Sequence, residues 1–367
     1  MKVARFYAPG DIRLEDADEP QVSAGEVKIR VRSCSTCGTD AKIFRSGHPN
    51  MSAPQVMGHE IAGEIVDVGD GAGSPSGDTW SVGDRVQVIA AIPDGTCPDC
   101  LAGNQTICPN QLSMGYQFPG GFAEYMIVPN EVLRVDGLNR IPDGLSFAEA
   151  SLAEPLACVL NGQELARVGE GDVVVVMGSG PIGCLHVRLA RSRGASRVIL
   201  IDINGERLAE AASLVKPDLT IDSSAVDAVQ AVLDATDGRG ADVVLEVTGN
   251  YRALQEAIRT VAYNSRVCVA GFMQGEGIGL RLGDEFHHNR VQLVCAQISG
   301  VNPSIDHRWN EYRLQKTFID LAVAGKLRVT DLISHEMPLE KGGEAFQLLD
   351  TATSDVLQVV LNARAAE

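Results

Sequence analysis

The sequence predicts an α/β protein of two domains, a partly closed antiparallel β-barrel and a doubly wound parallel sheet. Three observations carry this expectation. Residues 1 to about 155 alternate in short apolar runs (EVKIRVRS, HEIAGEIVDVG, DRVQVIA, FAEYMIVP) broken by Gly, Pro, Asp and Asn, the texture of short antiparallel strands joined by loops. From residue 156 the runs become near-continuous, as in GDVVVVMGSG, SRVILIDI, ADVVLEVTG, SRVCVAGF and VQLVCAQIS, with helical stretches between them. Strands buried on both faces and alternating with helices belong to a parallel sheet with crossovers on both sides. Finally, 367 residues at 45% hydrophobic content, with 38 Gly and 16 Pro, suit about two globular domains.

The elements follow in order. Residues 1–155 form the first part of the barrel domain, where VGDRV marks a turn leading into a strand. Residues 156–297 form the parallel-sheet domain, with crossover helices in IGCLHVRLARSRG, GERLAEAASLV, AVDAVQAVLDATDG and NYRALQEAIRTVA. Residues 298–367 contain a helix in HRWNEYRLQKTFIDLAVAGKL, then a short helix and a final strand. About 70 residues are thin for a separate core, so this tail is expected to return and complete the first domain.

The chain has 31 basic and 48 acidic side chains, a net charge of −17. That balance argues against a nucleic-acid groove or an anionic membrane surface, which need a concentrated basic face. No apolar run approaches the roughly 18 residues of a membrane span. The start, MKVARFYAPGDIRL, is too often polar for a signal-peptide core. A soluble cytoplasmic protein acting on a small molecule is the expectation. Nine cysteines in a reducing compartment then read as metal ligands, reactive groups or packing rather than disulfides. Cys184, Cys268 and Cys295 stand in apolar runs and are expected to be buried as small hydrophobes.

Gly178-x-Gly180-x-x-Gly183 follows the strand VVVVM and opens a helix near Pro181 and Ile182. Strand, glycine loop and helix in that order make a dinucleotide site: the glycines allow the turn, the approach of a pyrophosphate and close helix packing. The phosphates then meet the helix N-terminus. Asp202 ends the next strand, 24 positions after Gly178. A carboxylate there accepts ribose hydroxyls and repels a 2′-phosphate, which favours NAD over NADP. Arg207 lies one helix turn further on and reads as surface charge.

Cys37, His59, Glu60 and Glu154 are the candidate ligands of a reactive metal. A thiolate, an imidazole and a carboxylate make a tetrahedral zinc site with one position left for water or substrate. Cys34 with Cys37 also spells CxxC, a redox pair, but without the βαβ context of one. His59 and Glu60 alone could be a loop histidine and its hydrogen-bond partner.

CGTD at 37–40, GHEIAG at 58–63, VGDRV at 82–86, the cysteine cluster at 97–108, GGFAEY at 120–125, EPLA at 154–157 and GSGPIG at 178–183 occur in this order. In that succession the chain resembles the zinc-dependent medium-chain dehydrogenases over nearly its whole length. The resemblance is to the sorbitol (iditol) and threonine dehydrogenase branch, with Glu in EPLA where liver-type alcohol dehydrogenases use Cys. It implies a GroES-like catalytic domain with a Rossmann domain, and a homodimer or homotetramer. It also implies that Cys37 and His59 ligate the catalytic zinc, with the third position shared between Glu60 and Glu154. By the same resemblance the substrate hydroxyl binds zinc, Thr39 accepts its proton, and hydride passes to NAD. Related enzymes often carry a relay histidine five positions after the cysteine ligand. Here that residue is Lys42, a weaker base at neutral pH unless its pKa is depressed, and a surface lysine is its other reading. His48, in SGHP, is a further pocket-edge candidate.

Cys97, Cys100 and Cys108 supply three thiols of a structural lobe, and Asp94 stands where family members generally have a fourth cysteine. A carboxylate can ligate zinc, so an Asp/Cys3 structural site is expected, with a vacant lobe of reduced thiols as the competing reading. His287, His288, Arg290 and Trp309 depart from the sorbitol-type pattern and are candidates for a larger or more polar pocket, with surface roles equally open. The function expected is NAD-linked oxidation of a secondary alcohol of a polyol, cyclitol or sugar. A threonine-type amino alcohol dehydrogenase, a secondary-metabolism (amino)cyclitol dehydrogenase and a non-enzymatic nucleotide sensor are the alternatives. A zinc-free quinone-reductase-like relative would lack Cys37 and His59.

Overall fold

Alternating burial along short strands builds the first part of the molecule. The computed structural model describes residues 1–273, 275–300, 309–351 and 354–363. The amino-terminal segment holds β1 (Lys2–Ala8), β2 (Asp11–Asp16), β3 (Val27–Ser35), α1 (Gly38–Ser46), β4 (Gln55–Val56), β5 (Glu60–Val68), β6 (Arg85–Val88), β7 (Ala91–Ile92), α2 (Pro98–Leu101), β8 (Leu112–Ser113), β9 (Tyr125–Val128), α3 (Asn130–Leu133), β10 (Leu138–Arg140) and α4 (Phe147–Ser151). After α5 (Ala153–Leu165) come β11 (Val173–Met177), α6 (Pro181–Ser192), β12 (Arg197–Asp202), α7 (Gly205–Val215), β13 (Leu219–Asp222), α8 (Ala228–Ala235), β14 (Ala241–Glu246), α9 (Tyr251–Thr260), β15 (Val261–Val269) and β16 (Gln292–Cys295). The remainder holds α10 (Glu311–Val323), β17 (Ile333–Pro338), α11 (Gly342–Thr351) and β18 (Gln358–Asn362).

Two units divide the chain, Met1–Pro155 with Asn302–Glu367, and Leu156–Val301. In the first, a sheet runs β10-β6-β5-β3-β18-β17, β9 also pairs with β3, and a ribbon β2-β1-β4 stands apart. Every pairing is antiparallel except β17 with β18. Strand β3 is the hub, paired with β5, β9 and β18, which explains why Val27, Ile29, Val31 and Cys34 are all buried. They pack with Ile61, Ile65, Val88, Phe122 and Phe346 into one core. The register sets Ser35 opposite Glu60 and Val360 opposite Ser35. The loops that follow β3 and precede β5 are thereby brought to the same place.

The second unit is a six-stranded sheet, β13-β12-β11-β14-β15-β16, with every pairing parallel. The β-branched runs of β11, β12 and β14 are buried on both faces against Ile221, Val232, Ala257 and Ile258. The strand order reverses between β11 and β14, the crevice where doubly wound sheets hold ligands. One cysteine departs from expectation. Cys184 and Cys268 are buried, but Cys295 is exposed, because it closes β16, an edge strand paired on one side only. The predicted helix near the barrel's return begins at Glu311, with the Asn310 side chain accepting a hydrogen bond from the Arg313 amide at 2.8 Å. His307 and Arg308 lie outside the described residues. Among the described residues no helix is long and apolar enough to cross a membrane.

Candidate metal and dinucleotide sites

Cys37 immediately precedes α1 as its N-cap, and the chain turns there because Asp40, at the third helical position, accepts a hydrogen bond from the Cys37 amide at 2.9 Å. His59 and Glu60 enter β5 just after Gly58, whose φ is +93°. A Cβ on Gly58 would stand 2.8 Å from the Cys34 sulfur and 2.9 Å from the Phe122 ring, so only glycine lets the chain pass. With Ser35 opposite Glu60, these two turns converge. Donor atoms of Cys37, His59 and Glu60 all lie within 4.8 Å of one another.

The titratable groups of this cluster are close together and shift one another's protonation. Burial, reinforced by Asp40 and Glu154, raises the Cys37 thiol to about 11, against the amide and hydroxyl of Thr39, which favour the thiolate. Burial, then Cys37 and Glu154, push the Glu60 carboxyl well above the usual range. Burial lowers the His59 imidazole, but Asp40, Glu154 and Glu60 outweigh it and the group titrates higher than usual. Glu60 Oε2 is buried without a hydrogen-bond partner, a costly arrangement. A divalent cation would relieve each of these at once. Sulfur, nitrogen and oxygen donors in this number form the protein ligand set of a catalytic zinc. The residues therefore fit the metal.

Around the cluster, Asp40 Oδ1 lies 3.6 Å from His59 Nδ1 and is 1% exposed. Glu154, in the first turn of α5, is buried and acts on Cys37, His59 and Glu60 through its charge, outside the 4.8 Å group. The Tyr116 ring stands 6.2 Å from the His59 ring and 5.1 Å, edge-on, from His48. Burial raises the Tyr116 hydroxyl pKa further above its usual value, with Asp40, Cys37 and Glu154 adding.

In the other unit, Gly178 (φ +108°) closes the turn after β11, and a Cβ on Gly183 would strike the Gly178 carbonyl at 1.8 Å. That contact is why α6 can pack so tightly against the loop. Pro181 is its first residue, and Gly180 precedes it. Asp202 ends β12 beside the loop. Its Oδ2 accepts hydrogen bonds from both the amide and the hydroxyl of Ser179, each at 2.7 Å, and its Oδ1 accepts one from the Asn204 amide at 2.8 Å.

A second group, Asp94, Cys97, Cys100 and Cys108, also has its donor atoms within 4.8 Å of one another. Asp94 Oδ1 accepts from the Thr96 and Cys97 amides, and its Oδ2 accepts from Asn110 at 2.6 Å. These bonds, Asn110 first, hold its carboxyl far below the usual range. The Cys97 and Cys108 sulfurs are 3.9 Å apart and all nine cysteines are free. Burial, with hydrogen bonding to Cys97, raises Cys100 to about 12.

Residues 23–136 match the alcohol dehydrogenase GroES-like domain, and residues 181–310 match the zinc-binding dehydrogenase domain. The chain is 32% identical to an L-threonine 3-dehydrogenase of Pyrococcus horikoshii, covering 92% of this chain and 91% of that one. It is 29% identical to a sorbitol dehydrogenase of Halalkalibacterium halodurans, covering 97% and 96%. Galactitol-1-phosphate dehydrogenase of Escherichia coli superposes with a TM-score of 0.87 at 25% identity, covering 99% of this chain and 100% of that one. A zinc-binding dehydrogenase of Sinorhizobium meliloti bound to NADP superposes with a TM-score of 0.85 at 27% identity, covering 98% of each.

The chain belongs to the zinc-dependent medium-chain dehydrogenase family. Within it, the sorbitol- and threonine-dehydrogenase branch is the one it resembles, and zinc and NAD are the cofactors of this NAD-dependent alcohol dehydrogenase. The fold is the one expected, a GroES-like barrel with a Rossmann sheet. The structure of the dehydrogenase brings Cys37, His59 and Glu60 together and leaves Glu154 just outside the group. Thr39 is half-buried beside Cys37, and Lys42 follows on α1. His48 stands at the edge of the cluster through Tyr116. His287, His288 and Arg290 are exposed on the dinucleotide unit, and Trp309 is half-buried. Two neighbours of the zinc cluster escape a reading of the sequence. Asp40 carries a signal, an acid three residues after an N-cap, but its contact with His59 is long-range. Tyr116 sits in a loop with no pattern to mark it.

Proposed function

We propose that the dehydrogenase oxidises a secondary alcohol of a polyol, cyclitol or sugar, with NAD as acceptor. The observation that carries the reading is the convergence of the Cys37, His59 and Glu60 donor atoms, with Glu60 Oε2 buried and without a hydrogen-bond partner. In this reading Cys37, His59 and Glu60 hold the catalytic zinc, and Glu154, outside that group, exchanges with Glu60 or holds water. Zinc, when bound, supplies Lewis acidity, and NAD supplies the hydride acceptor. The protein residues place and deprotonate. Asp40 faces Nδ1 of His59 and so orients the imidazole. Thr39 Oγ1 takes the substrate hydroxyl proton and passes it on, with Lys42 as the end of the relay. Asp202 receives a ribose hydroxyl and selects NAD over its 2′-phosphorylated form. Asp94, Cys97, Cys100 and Cys108 hold a second, structural zinc.

A rim of hydrogen-bonding groups, Tyr116, His48 and Glu154, supports a substrate with neighbouring hydroxyls. So does the likeness to sorbitol and galactitol-1-phosphate dehydrogenases. The likeness to threonine dehydrogenases favours an amino alcohol as the second reading, against which stands Lys42 in place of a relay histidine. A homodimer or homotetramer built through the dinucleotide unit is the oligomer this family reading implies. The deciding experiment follows NADH absorbance with polyols, cyclitols, aminocyclitols, sugars and threonine. Turnover confined to threonine would overturn the polyol reading. Cys37→Ser should abolish turnover while NAD still binds, and unchanged turnover would remove the zinc mechanism.

A further inference from the structure

We propose that Ser179, which stands between the first two glycines of the loop, is a positioning residue for dinucleotide choice. It acts by fixing the Asp202 carboxylate, and the inference rests on the reading of Asp202 given above.

A carboxylate offers about four lone-pair positions. Ser179 fills both on Oδ2, through amide and hydroxyl, and the Asn204 amide takes one on Oδ1. One acceptor position remains, on Oδ1, and the carboxylate cannot swing to present another. Ser179 is itself fully buried, whereas Asp202 is only half-buried. The hydroxyl thus points its one polar group at Asp202 from inside the protein. The glycine-loop turn does not demand serine, because the strained or crowded positions are Gly178 and Gly183. Its hydroxyl is explained by Asp202 alone.

The neighbouring strand adds to the effect. Parallel register sets Asp202 beside Asp222. Asp222 Oδ1 is held by the amide and hydroxyl of Ser224, and a Cβ on Gly205 would lie 2.5 Å from its Oδ2. Two fixed carboxylates therefore stand at adjacent strand ends. A ribose hydroxyl can donate to the remaining acceptor, whereas a 2′-phosphate brings like charge to a group that cannot turn away. Pre-ordering of this kind raises affinity by removing the cost of ordering on binding.

The test is direct binding of NADH and NADPH to the purified enzyme, followed by nucleotide fluorescence without substrate. For Ser179→Ala the Kd for NADH should rise about 3- to 10-fold, the scale of ordering one side chain on binding, while the Kd for NADPH stays level or falls. Ser179→Cys, similar in volume and a weak donor, should move the ratio the same way and carries the test if the alanine variant does not fold. An equal rise for both nucleotides, or no change, overturns the proposal. Asp202→Asn separates the two claims. If it leaves the NADH/NADPH ratio intact, the reading of Asp202 itself fails. If it collapses the ratio while Ser179→Ala does not, only the role of Ser179 falls.

Discussion

Asp40 and His59 face each other inside the barrel unit, Oδ1 to Nδ1 at 3.6 Å, with both side chains buried. The carboxylate that caps α1 through the Cys37 amide thus also stands behind the imidazole of a second candidate ligand. One acid braces two donors from elements joined only through the β3–β5 register.

Removing that charge should loosen the metal without unmaking the fold. Asp40→Asn is expected to weaken zinc retention about 10- to 100-fold, the usual cost of losing a group that orients a ligand. Competition with a chromophoric chelator measures it. Zinc affinity equal to that of the parent would show that Asp40 is only a helix cap.

Glu60 and Glu154 should behave differently. Glu60→Gln is expected to lower the zinc bound per chain, because Glu60 belongs to the tight donor group. Glu154→Gln should keep the metal and lower turnover. Elemental analysis beside steady-state rates distinguishes the two, and loss of zinc in the Glu154 variant alone would reverse the assignment.

The lobe at 94–108 predicts a second metal. Asp94→Ala should reduce metal content from about two ions per chain to one and lower the thermal midpoint, since structural zinc contributes directly to folding. Asp94→Cys should retain both ions. A parent enzyme with a single ion per chain would mean that the lobe folds as reduced thiols.

His186 supplies a pH dependence of the dinucleotide unit's own. It is fully buried in α6, with Gln163 Nε2 3.3 Å from its Nδ1, and burial lowers its pKa to about 3. The folded protein keeps this imidazole neutral where the unfolded chain, titrating near 6.5, takes a proton. Its contribution is therefore intact above pH 6.5 and is lost progressively as pH falls from there towards 3. Denaturant melts at pH 7 and pH 5 should show a smaller drop for His186→Gln than for the parent. Equal drops would mean that the imidazole titrates normally.

Much of this was legible because the signals are local. The turn at Gly178, the tight contact at Gly183 and Asp202 at the strand end all fall within one strand–loop–helix passage, and the chain order alone sets their geometry. That Cys37 and His59 converge was legible through the motifs around them. Which of Glu60 and Glu154 lies in the same group was not, since that depends on the register of β3 against β5. Asp40 and Ser179 each occupy a motif position whose local meaning, a cap and a loop filler, conceals a partner elsewhere. Cys295 was misread because an apolar run does not reveal which strand will form the sheet's edge.

The pairing of β18 with β3 bears on how the enzyme is made. Thr36, one residue before Cys37, donates its hydroxyl and amide to the Val359 carbonyl across a separation of 323 residues. During synthesis the strand leading into the Cys37 turn therefore has an open flank until nearly the whole chain has emerged. An unpaired edge of that kind invites wrong partners. The Cys37 turn gains this support only after the dinucleotide unit has been translated, so the barrel unit closes around it late in synthesis.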